Sequence, residues 1–312
     1  MRELARTDHR IRCLQRLGRR GLATACIEGM LASAAPYVAV MDADLQHDET
    51  ILPRMLAAAE AGAEVVVASR YVAGGGTGDW AESRLRMSRL ATRIARRIVK
   101  TETTDPMSGF FLVRRSLLEE TARGLSGIGF KILLDILATA RRPVRLAEVP
   151  YTFRNRLHGE SKLDETVLWQ YGMLLADKSI GRYIPVRFLS FSLIGGMGVI
   201  VHMSVVGLLT WLTSLPFQTA QVIATLIAMV FNFDLNNLLT YRDRRLRGLD
   251  WVKGLIAFML ACSIGAVANI GIADFVFEAR HEWALAALAG VLVGATWNYT
   301  VTRLYTWKRK ES

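Results

Sequence analysis

The chain changes its hydrophobic rhythm near residue 187. Before that point apolar residues come in short runs set between charged stretches, and after it they come in runs long enough to cross a bilayer. In the first part, apolar spacing predicts a helix over roughly Gly21 to Ala34 and another over roughly Ile51 to Ala61. Between and after them, Tyr37–Met41 and Val65–Ser69 read as buried strands. Ser83 to Lys100 keeps Leu85, Leu90, Ile94 and Ile98 at helical spacing among seven basic residues. Its charged side is ordinarily a solvated face; next to a membrane it equally suits an anionic lipid surface. Gly74–Gly78 reads as a mobile loop over a site, and it lacks the Lys-Ser/Thr of a phosphate-binding P-loop. The pattern as a whole is that of an α/β domain followed by an all-α membrane domain.

Four runs in the second part have about the 20 apolar residues a span needs. They are roughly Phe188–Leu212, Thr219–Tyr241, Trp251–Phe277 and Trp283–Tyr305. Trp211, Tyr241, Trp251, Trp283 and Trp307 fall near their ends, where amphipathic rings prefer the headgroup region. The loop after the second run, Arg242-Asp243-Arg244-Arg245-Leu246-Arg247, and the tail Lys308-Arg309-Lys310 are basic, whereas the other two loops are nearly neutral. The positive-inside rule then places the N-terminal domain, that loop and the tail in the cytoplasm, as an even number of spans also requires. Polar residues within the runs are His202, Asn232, Asp234, Asn236, Asn237, Asn269, Asp274 and Asn298. Helix–helix hydrogen bonding accounts for most such groups, and the dense 232–237 cluster also suits a polar path or a lipid head group.

Composition adds three points. The 312 residues allow two domains, and hydrophobic residues reach 52%. The formal net charge of +11 points to nucleic acid or an anionic membrane, and the apolar half decides for the membrane. Three cysteines, Cys13, Cys26 and Cys262, form no C-x-x-C pair, against a zinc site or disulfide framework and in keeping with a cytosolic face. The polar N-terminus has no signal-peptide core.

The chemistry begins at Asp42-Ala43-Asp44-Leu45-Gln46, directly after the first strand. If the strand alternation continues, Asp42, Asp44 and Gln46 point one way from the sheet end where open α/β sheets bind ligands. Two carboxylates and an amide oxygen suit Mg²⁺ or Mn²⁺ together with a diphosphate. The plainer alternative is a solvated turn, with Asp48 and Glu49 serving as cap and first-turn charges of the next helix. Farther on come Asp105-Pro106-Met107-Ser108-Gly109-Phe110-Phe111 and Gly129-Phe130-Lys131, and then the loop after Phe153, whose Arg156, Ser161 and Lys162 are donors that can clamp phosphate.

The ordered set D-A-D-L-Q-H, S-R-Y, D-P-M-S-G-F-F, G-F-K-I-L-L and F-x-x-R-x-x-G-x-S-K-L resembles the polyprenol-phosphate (dolichol-phosphate) mannosyltransferase branch of the family-2 inverting glycosyltransferases. The second half, with F-L-S-F-S-L-I-G-G from Phe188 and N-F-D-L-N-N-L-L-T-Y-R-D from Asn232, is similar to GtrA-type membrane domains. The resemblance implies a GT-A-like (Rossmann-like) domain over 1–162, incomplete at its N-terminus, amphipathic interface helices over 163–185, and a four-span GtrA-like domain over 186–312. It implies that Asp44 and Gln46 ligate Mg²⁺ or Mn²⁺ and that Asp42 lies on the nucleotide and sugar side. Arg70 and Arg89 match arginines near the phosphates, and Arg156, Ser161 and Lys162 match the loop that closes over nucleotide and lipid phosphate. The implied partners are a nucleotide-sugar donor, GDP-mannose foremost, a polyprenyl phosphate acceptor and the bilayer. Nucleic acid is not among them, and self-association is left open. Two alternatives stand beside this: a UDP-glucose-type donor, or a catalytically impaired protein that docks or translocates glycolipid.

In one respect the chain departs from the family. Members begin with a strand carrying a V-I-P-x-Y-N-E-like motif and a second strand ending in acidic residues, which hold base and ribose. Here Arg12–Glu28 already resembles the segment that follows them. Roughly 60 residues of a typical domain are expected to be absent, leaving an exposed sheet edge and a poorly stable first half.

Overall fold

The structure is a computed structural model that describes residues 2–17, 21–78, 82–154, 165–280 and 282–308. The side chains of Asp274 and Trp283 lie outside the described set. The chain divides into two units, Met1–Tyr183 and Ile184–Ser312.

The first unit contains strands β1 (Tyr37–Val40), β2 (Val65–Ser69), β3 (Phe111–Arg114) and β4 (Leu146–Pro150). Its helices are α1 (Leu4–Thr7), α2 (Leu22–Ala32), α3 (Leu52–Glu60), α4 (Glu82–Ile98), α5 (Arg115–Ala122), α6 (Ile132–Thr139) and α7 (Glu165–Ile180). The strand order is β1-β3-β2-β4. β3 is antiparallel to both β1 and β2, and β2 is parallel to β4, so the sheet is mixed. Phe111 sits between Val40 and Val67 in register. β2 is buried along its whole length, as a continuous apolar run in a central strand should be. β1, by contrast, is half-buried and pairs only with β3 among the described residues, so it is an edge strand.

Strand alternation sorts the core into two layers. Val65, Val67, Phe111 and Val113 face α2, α5 and α6, where Met30, Leu118, Leu133 and Ile136 meet them. Val66, Ala68, Phe110 and Leu112 face α3, with Met55 and Ala59. Asp48 caps the short turn that leads into α3 by accepting from the Thr50 amide at 3.2 Å, and Pro53 stands in the first turn of α3, where its missing N–H costs nothing. The segment 163–185 contributes α7, which belongs to this unit: Leu174 packs with Ala95 of α4, Met107 and Leu134 of α6. Lys178 of α7 pairs with the buried Asp135 at 2.6 Å.

The second unit contains α8 (Val186–Leu212), α9 (Phe217–Leu235), α10 (Leu249–Arg280) and α11 (Trp283–Val301). Three helices among the described residues are long and apolar enough to cross a membrane: Val186–Leu212, Phe217–Thr240 and Leu249–Asn269. α9 and α11 end alike. Each runs into an i→i+5 turn, with Tyr241 N–H donating to the Asn236 carbonyl at 2.8 Å and Trp307 N–H to the Thr302 carbonyl at 2.9 Å. Asn232, Phe233, Thr240 and Tyr241 correspond in order to Asn298, Tyr299, Thr306 and Trp307. Gly198 of α8 lies directly against Asn232, and Gly265 of α10 lies directly against Asn298. The unit is therefore one helical hairpin used twice, joined where Tyr241 and Trp307 stack at 4.2 Å.

The polar cluster at 232–237 resolves into packing contacts. Asn237 accepts from the Leu246 amide at 2.8 Å and from the Trp307 indole at 3.2 Å, and Asp234 accepts from the Trp251 indole at 2.8 Å. Arg187–Asp243 at 2.8 Å and Arg244 to the Trp307 carbonyl at 3.0 Å lie at the same end. The start of α8, the basic loop, the start of α10 and the end of α11 thus share one end of the bundle.

Candidate active site

β1, β2 and β4 run in one direction and β3 in the other. The segments leaving β1, β2 and β4 and the segment entering β3 therefore emerge at one end of the sheet. That end collects Asp42–Asp48, Arg70–Gly78, Tyr151–Arg154 and Asp105–Phe110. It is the place where an α/β sheet builds ligand sites, because helices cover both faces and leave the strand ends open.

The acidic motif does not continue the strand. β1 ends at Val40, and Leu45 takes a left-handed φ of 63°, so the alternation expected to align Asp42, Asp44 and Gln46 stops before it reaches them. A turn presents them instead. Asp44 accepts from the Gln46 backbone N–H at 3.3 Å, and two bonds clasp Gln46 to Arg154, four residues past the end of β4. In that clasp the Arg154 amide donates to the Gln46 carbonyl at 2.8 Å, and the Gln46 side-chain amide donates to the Arg154 carbonyl at 3.0 Å. The Arg154 guanidinium reaches back to Asp48 at 2.8 Å and Glu49 at 3.0 Å. Asp48 is held below the usual carboxylate range, chiefly by the Thr50 hydroxyl it accepts from. It is thus a cap, as the plainer reading of those acids has it, and in addition an ion-pair partner of Arg154.

His47 follows, 4% exposed, in a box of Phe110, Tyr151 and Phe153. Its Nδ1 bonds the Tyr151 hydroxyl at 3.0 Å. Its Nε2 points toward Asp42, 3.7 Å away. Gly109 closes this corner: a Cβ there would stand 2.6 Å from an Asp42 carboxylate oxygen, so a larger residue would displace that side chain.

Arg70, at the end of β2, makes a two-pronged pair with the fully buried Asp105, at 2.7 and 2.8 Å. Burial opposes the guanidinium's charge, but the hydrogen bonds and charge of Asp105 outweigh it and raise the pKa above arginine's ordinary value. The Arg70 guanidinium also stacks on Tyr71 and Phe153, and Phe153 touches the His47 ring. Asp42, His47, Phe153, Arg70 and Asp105 thus form one continuous cluster. Beneath it, Glu148 accepts from Thr103, the Thr104 amide and the Thr104 hydroxyl at 2.8–2.9 Å, and Thr104 bonds Ser69 at 2.6 Å.

The glycine loop after Arg70 is tied down rather than a free cover. Gly76 forms a bridge to Thr152, and Gly75 packs so closely on the Ser69 carbonyl that a Cβ would stand 2.8 Å from it. Close backbone approach is what the glycines serve.

The structure therefore brings Asp42, Asp44, Gln46 and Arg70 to one sheet end. Arg89 stands exposed on α4 without an ion-pair partner among the described residues. Arg156, Ser161 and Lys162 lie outside the described residues. The sequence reading missed His47, Asp105, Tyr151 and Arg154 as site residues. His47 and Asp105 stand inside quoted motifs, so their positions were the available signal. Among the described residues no group of three His, Cys, Asp or Glu side chains could hold a metal ion. Asp44 and Gln46 offer one carboxylate and one amide oxygen, hard donors of the type Mg²⁺ accepts beside water and substrate phosphate.

A mixed α/β sheet with an acidic turn and a buried Arg–Asp pair at its open end, in a chain that also carries apolar helices of spanning length, fits a membrane-bound transferase of the glycosyltransferase type. Comparison with known proteins agrees. Residues 1–122 match the glycosyl transferase family 2 model, and residues 190–307 match the GtrA/DPMS transmembrane domain. The dolichol-phosphate mannosyltransferase of Pyrococcus furiosus is 30% identical over 299 residues, covering 95% of this chain and 83% of that one. Enzymes of the same name from Saccharomyces cerevisiae and Mycosarcoma maydis are 37% and 33% identical over 174 and 184 residues, covering 54% and 58% of this chain and 64% and 62% of theirs. The chain belongs to the dolichol-phosphate mannosyltransferase family, and it is an integral membrane glycosyltransferase.

Proposed function

We propose that this protein transfers mannose from GDP-mannose to a polyprenyl phosphate of the dolichyl type, with inversion at the sugar, on the cytoplasmic face of a membrane that it crosses four times. The observation that carries this reading is the clasped turn Asp42–Gln46 beside Arg70 at the open end of the sheet, in a chain similar along 95% of its length to a dolichol-phosphate mannosyltransferase.

The acceptor oxygen is already anionic, so no side-chain base is needed. The task of the protein is to align two like-charged phosphate groups and to stabilise the departing diphosphate. Asp44 and Gln46 would hold Mg²⁺ or Mn²⁺, which when bound supplies the positive charge that offsets this repulsion. The clasp on Gln46 commits its amide nitrogen to Arg154 and so sets the orientation of its amide oxygen. Asp42 takes the nucleotide and sugar side, with Gly109 leaving it room. Arg70 and Arg89 serve the phosphates, Arg70 held in place by Asp105. Arg156, Ser161 and Lys162 provide donors from the segment after Arg154. The basic loop Arg242–Arg247, at one end of the bundle with the end of α11, and the basic sequence that follows α11 support the cytoplasmic assignment.

Membranes containing the full chain should move label from GDP-mannose into a lipid fraction in a divalent-cation-dependent reaction. Asp44→Ala should lower the rate more than about a hundredfold, because charge stabilisation by a bound cation is worth several kcal/mol. A rate that ignores this substitution overturns the metal assignment. Equal use of UDP-glucose overturns the donor assignment.

A further inference from the structure

His47 carries a buried nitrogen that its surroundings leave unsatisfied. Its side chain is 3% exposed, its Nδ1 bonds the Tyr151 hydroxyl at 3.0 Å, and its Nε2 has no hydrogen-bond partner among the described residues. A polar atom in this state costs free energy, so it calls for a partner or a task. The ring is held from turning away, because Phe110, Tyr151 and Phe153 surround it at centroid distances of 5.3–5.6 Å. Nε2 is thereby aimed at the Asp42 carboxylate, 3.7 Å away. Asp42 stands two residues past the end of β1 with its side chain half exposed, and no hydrogen bond among the described residues holds it.

Charge selects the tautomer. Nδ1 can accept from the Tyr151 hydroxyl or donate to it, but donating would turn a bare lone pair of Nε2 toward a carboxylate. Burial raises the Tyr151 phenol well above its ordinary range, so its proton is kept for donation. Nδ1 therefore accepts, and the ring proton sits on Nε2, facing Asp42. Gly109 keeps the space between them open: a Cβ there would stand 2.6 Å from the Asp42 oxygen and 3.5 Å from Nε2. A small swing of the exposed Asp42 side chain closes the remaining gap, as bonds of this kind commonly tighten once substrate is bound.

We propose that His47 is a positioning residue for Asp42: its Nε2–H donates to one carboxylate oxygen and leaves the other directed at the nucleotide sugar. This deepens, and rests on, the reading of Asp42 as the residue on the nucleotide and sugar side. His47 touches neither sugar nor phosphate in this role and acts only through Asp42. Tyr151, by fixing the tautomer, belongs to the same device.

The test compares two substitutions in the full chain in nanodiscs. His47→Gln places an amide nitrogen near the position of Nε2, and His47→Asn places one near that of Nδ1. His47→Asn should lower kcat/KM for the nucleotide sugar about 10- to 100-fold, the usual range when a supporting hydrogen bond to a site residue is lost, and leave KM for the polyprenyl phosphate unchanged. His47→Gln should restore most of that loss. Gly109→Ala, at a position without a positive φ, should reproduce it by displacing Asp42 while sparing His47. In an Asp42→Ala background none of the three should lower the rate further. If His47 served only to hold Tyr151, His47→Asn would be the milder change and its effect would persist without Asp42. Either of those results overturns the proposal, as do equal rates for His47→Gln and His47→Asn. A second measurement needs no substrate. Nitrogen NMR of the labelled histidine rings in the otherwise unaltered chain, with the His47 signals identified by their loss in His47→Gln, should find the ring proton on Nε2, and a proton on Nδ1 overturns the proposal. Failure to transfer mannose from GDP-mannose would remove the donor assignment, while the place of the ring proton would still decide the role of His47.

Discussion

In the unit that holds the candidate active site, charges enter the interior in pairs: Arg70 with Asp105, Lys178 with Asp135, and Glu64 with Arg142. In the membrane unit the buried polar side chains among the described residues are neutral: Ser190, Asn236, Asn237, Thr240, Thr302 and Thr306. Most of them bond to each other or to backbone, as Ser190 does with Thr240 at 2.6 Å and Thr302 with the Asn298 carbonyl at 2.6 Å, while the Thr306 hydroxyl is buried without a hydrogen-bond partner among the described residues. The unit's ion pairs Arg187–Asp243 and Arg244–Asp243 lie at one end of the bundle and are partly exposed. The difference follows from the solvent. A water-surrounded unit can bury an ion beside its counter-ion, whereas within hydrocarbon even a paired charge is costly and neutral groups satisfy one another instead.

The contrast can be tested by substitutions of decreasing severity. Asp105→Ala leaves the Arg70 guanidinium buried without its counter-ion and should cost about 3–5 kcal/mol, read from the urea midpoint of the full chain by hydrogen exchange in β2 and β3. Next in size are two identical truncations at fully buried sites. Phe111→Ala should cost about 3–4 kcal/mol, and Phe233→Ala roughly half as much, because the unfolded reference for α9 remains in an apolar medium and only packing is lost. Equal losses at both positions would remove the distinction between the two solvents. Asn237→Ala should cost only about 1 kcal/mol although it removes contacts to Leu246 and Trp307, in line with hydrogen bonds between membrane helices.

The mildest effect appears only in acid. The Arg142 hydrogen bond, above all other causes, lowers the Glu64 carboxyl from its ordinary 4.5 to about 2. A depressed carboxyl stabilises the fold above the unfolded value and loses that contribution as the pH falls through the folded one. Stability of the first unit should therefore decline between about pH 4.5 and about pH 2. Glu64→Gln should flatten that part of the acid limb, and an unchanged acid limb would show that the pair is not what sets it.

Local features were the legible ones. The apolar runs of the second half, the helices at α2 and α3, the Asp48 cap and the motif turn all rest on contacts a few residues apart. The partnerships that build the site are not local. Arg70 meets Asp105 across 35 residues and His47 meets Tyr151 across 104, and no periodicity links such pairs. The motif was placed correctly after β1 but by the wrong geometry, because the left-handed Leu45 has neither Gly nor Asn to announce it. The reversed direction of β3 was equally hidden, since a strand's apolar pattern reads the same either way. Residues 163–185 look interfacial in sequence, yet the Lys178–Asp135 pair, which ties α7 into the first unit, is visible only once both helices are in place.

The repeated hairpin gives the membrane unit an internal reference. Gly198 against Asn232 and Gly265 against Asn298 are the same notch in two settings, one followed by the basic loop at Arg242 and the other by the tail at Lys308. Chemistry and local geometry are matched between the copies. Any difference in how the two tolerate the same change therefore measures surroundings alone, a separation that a bundle without duplication does not offer.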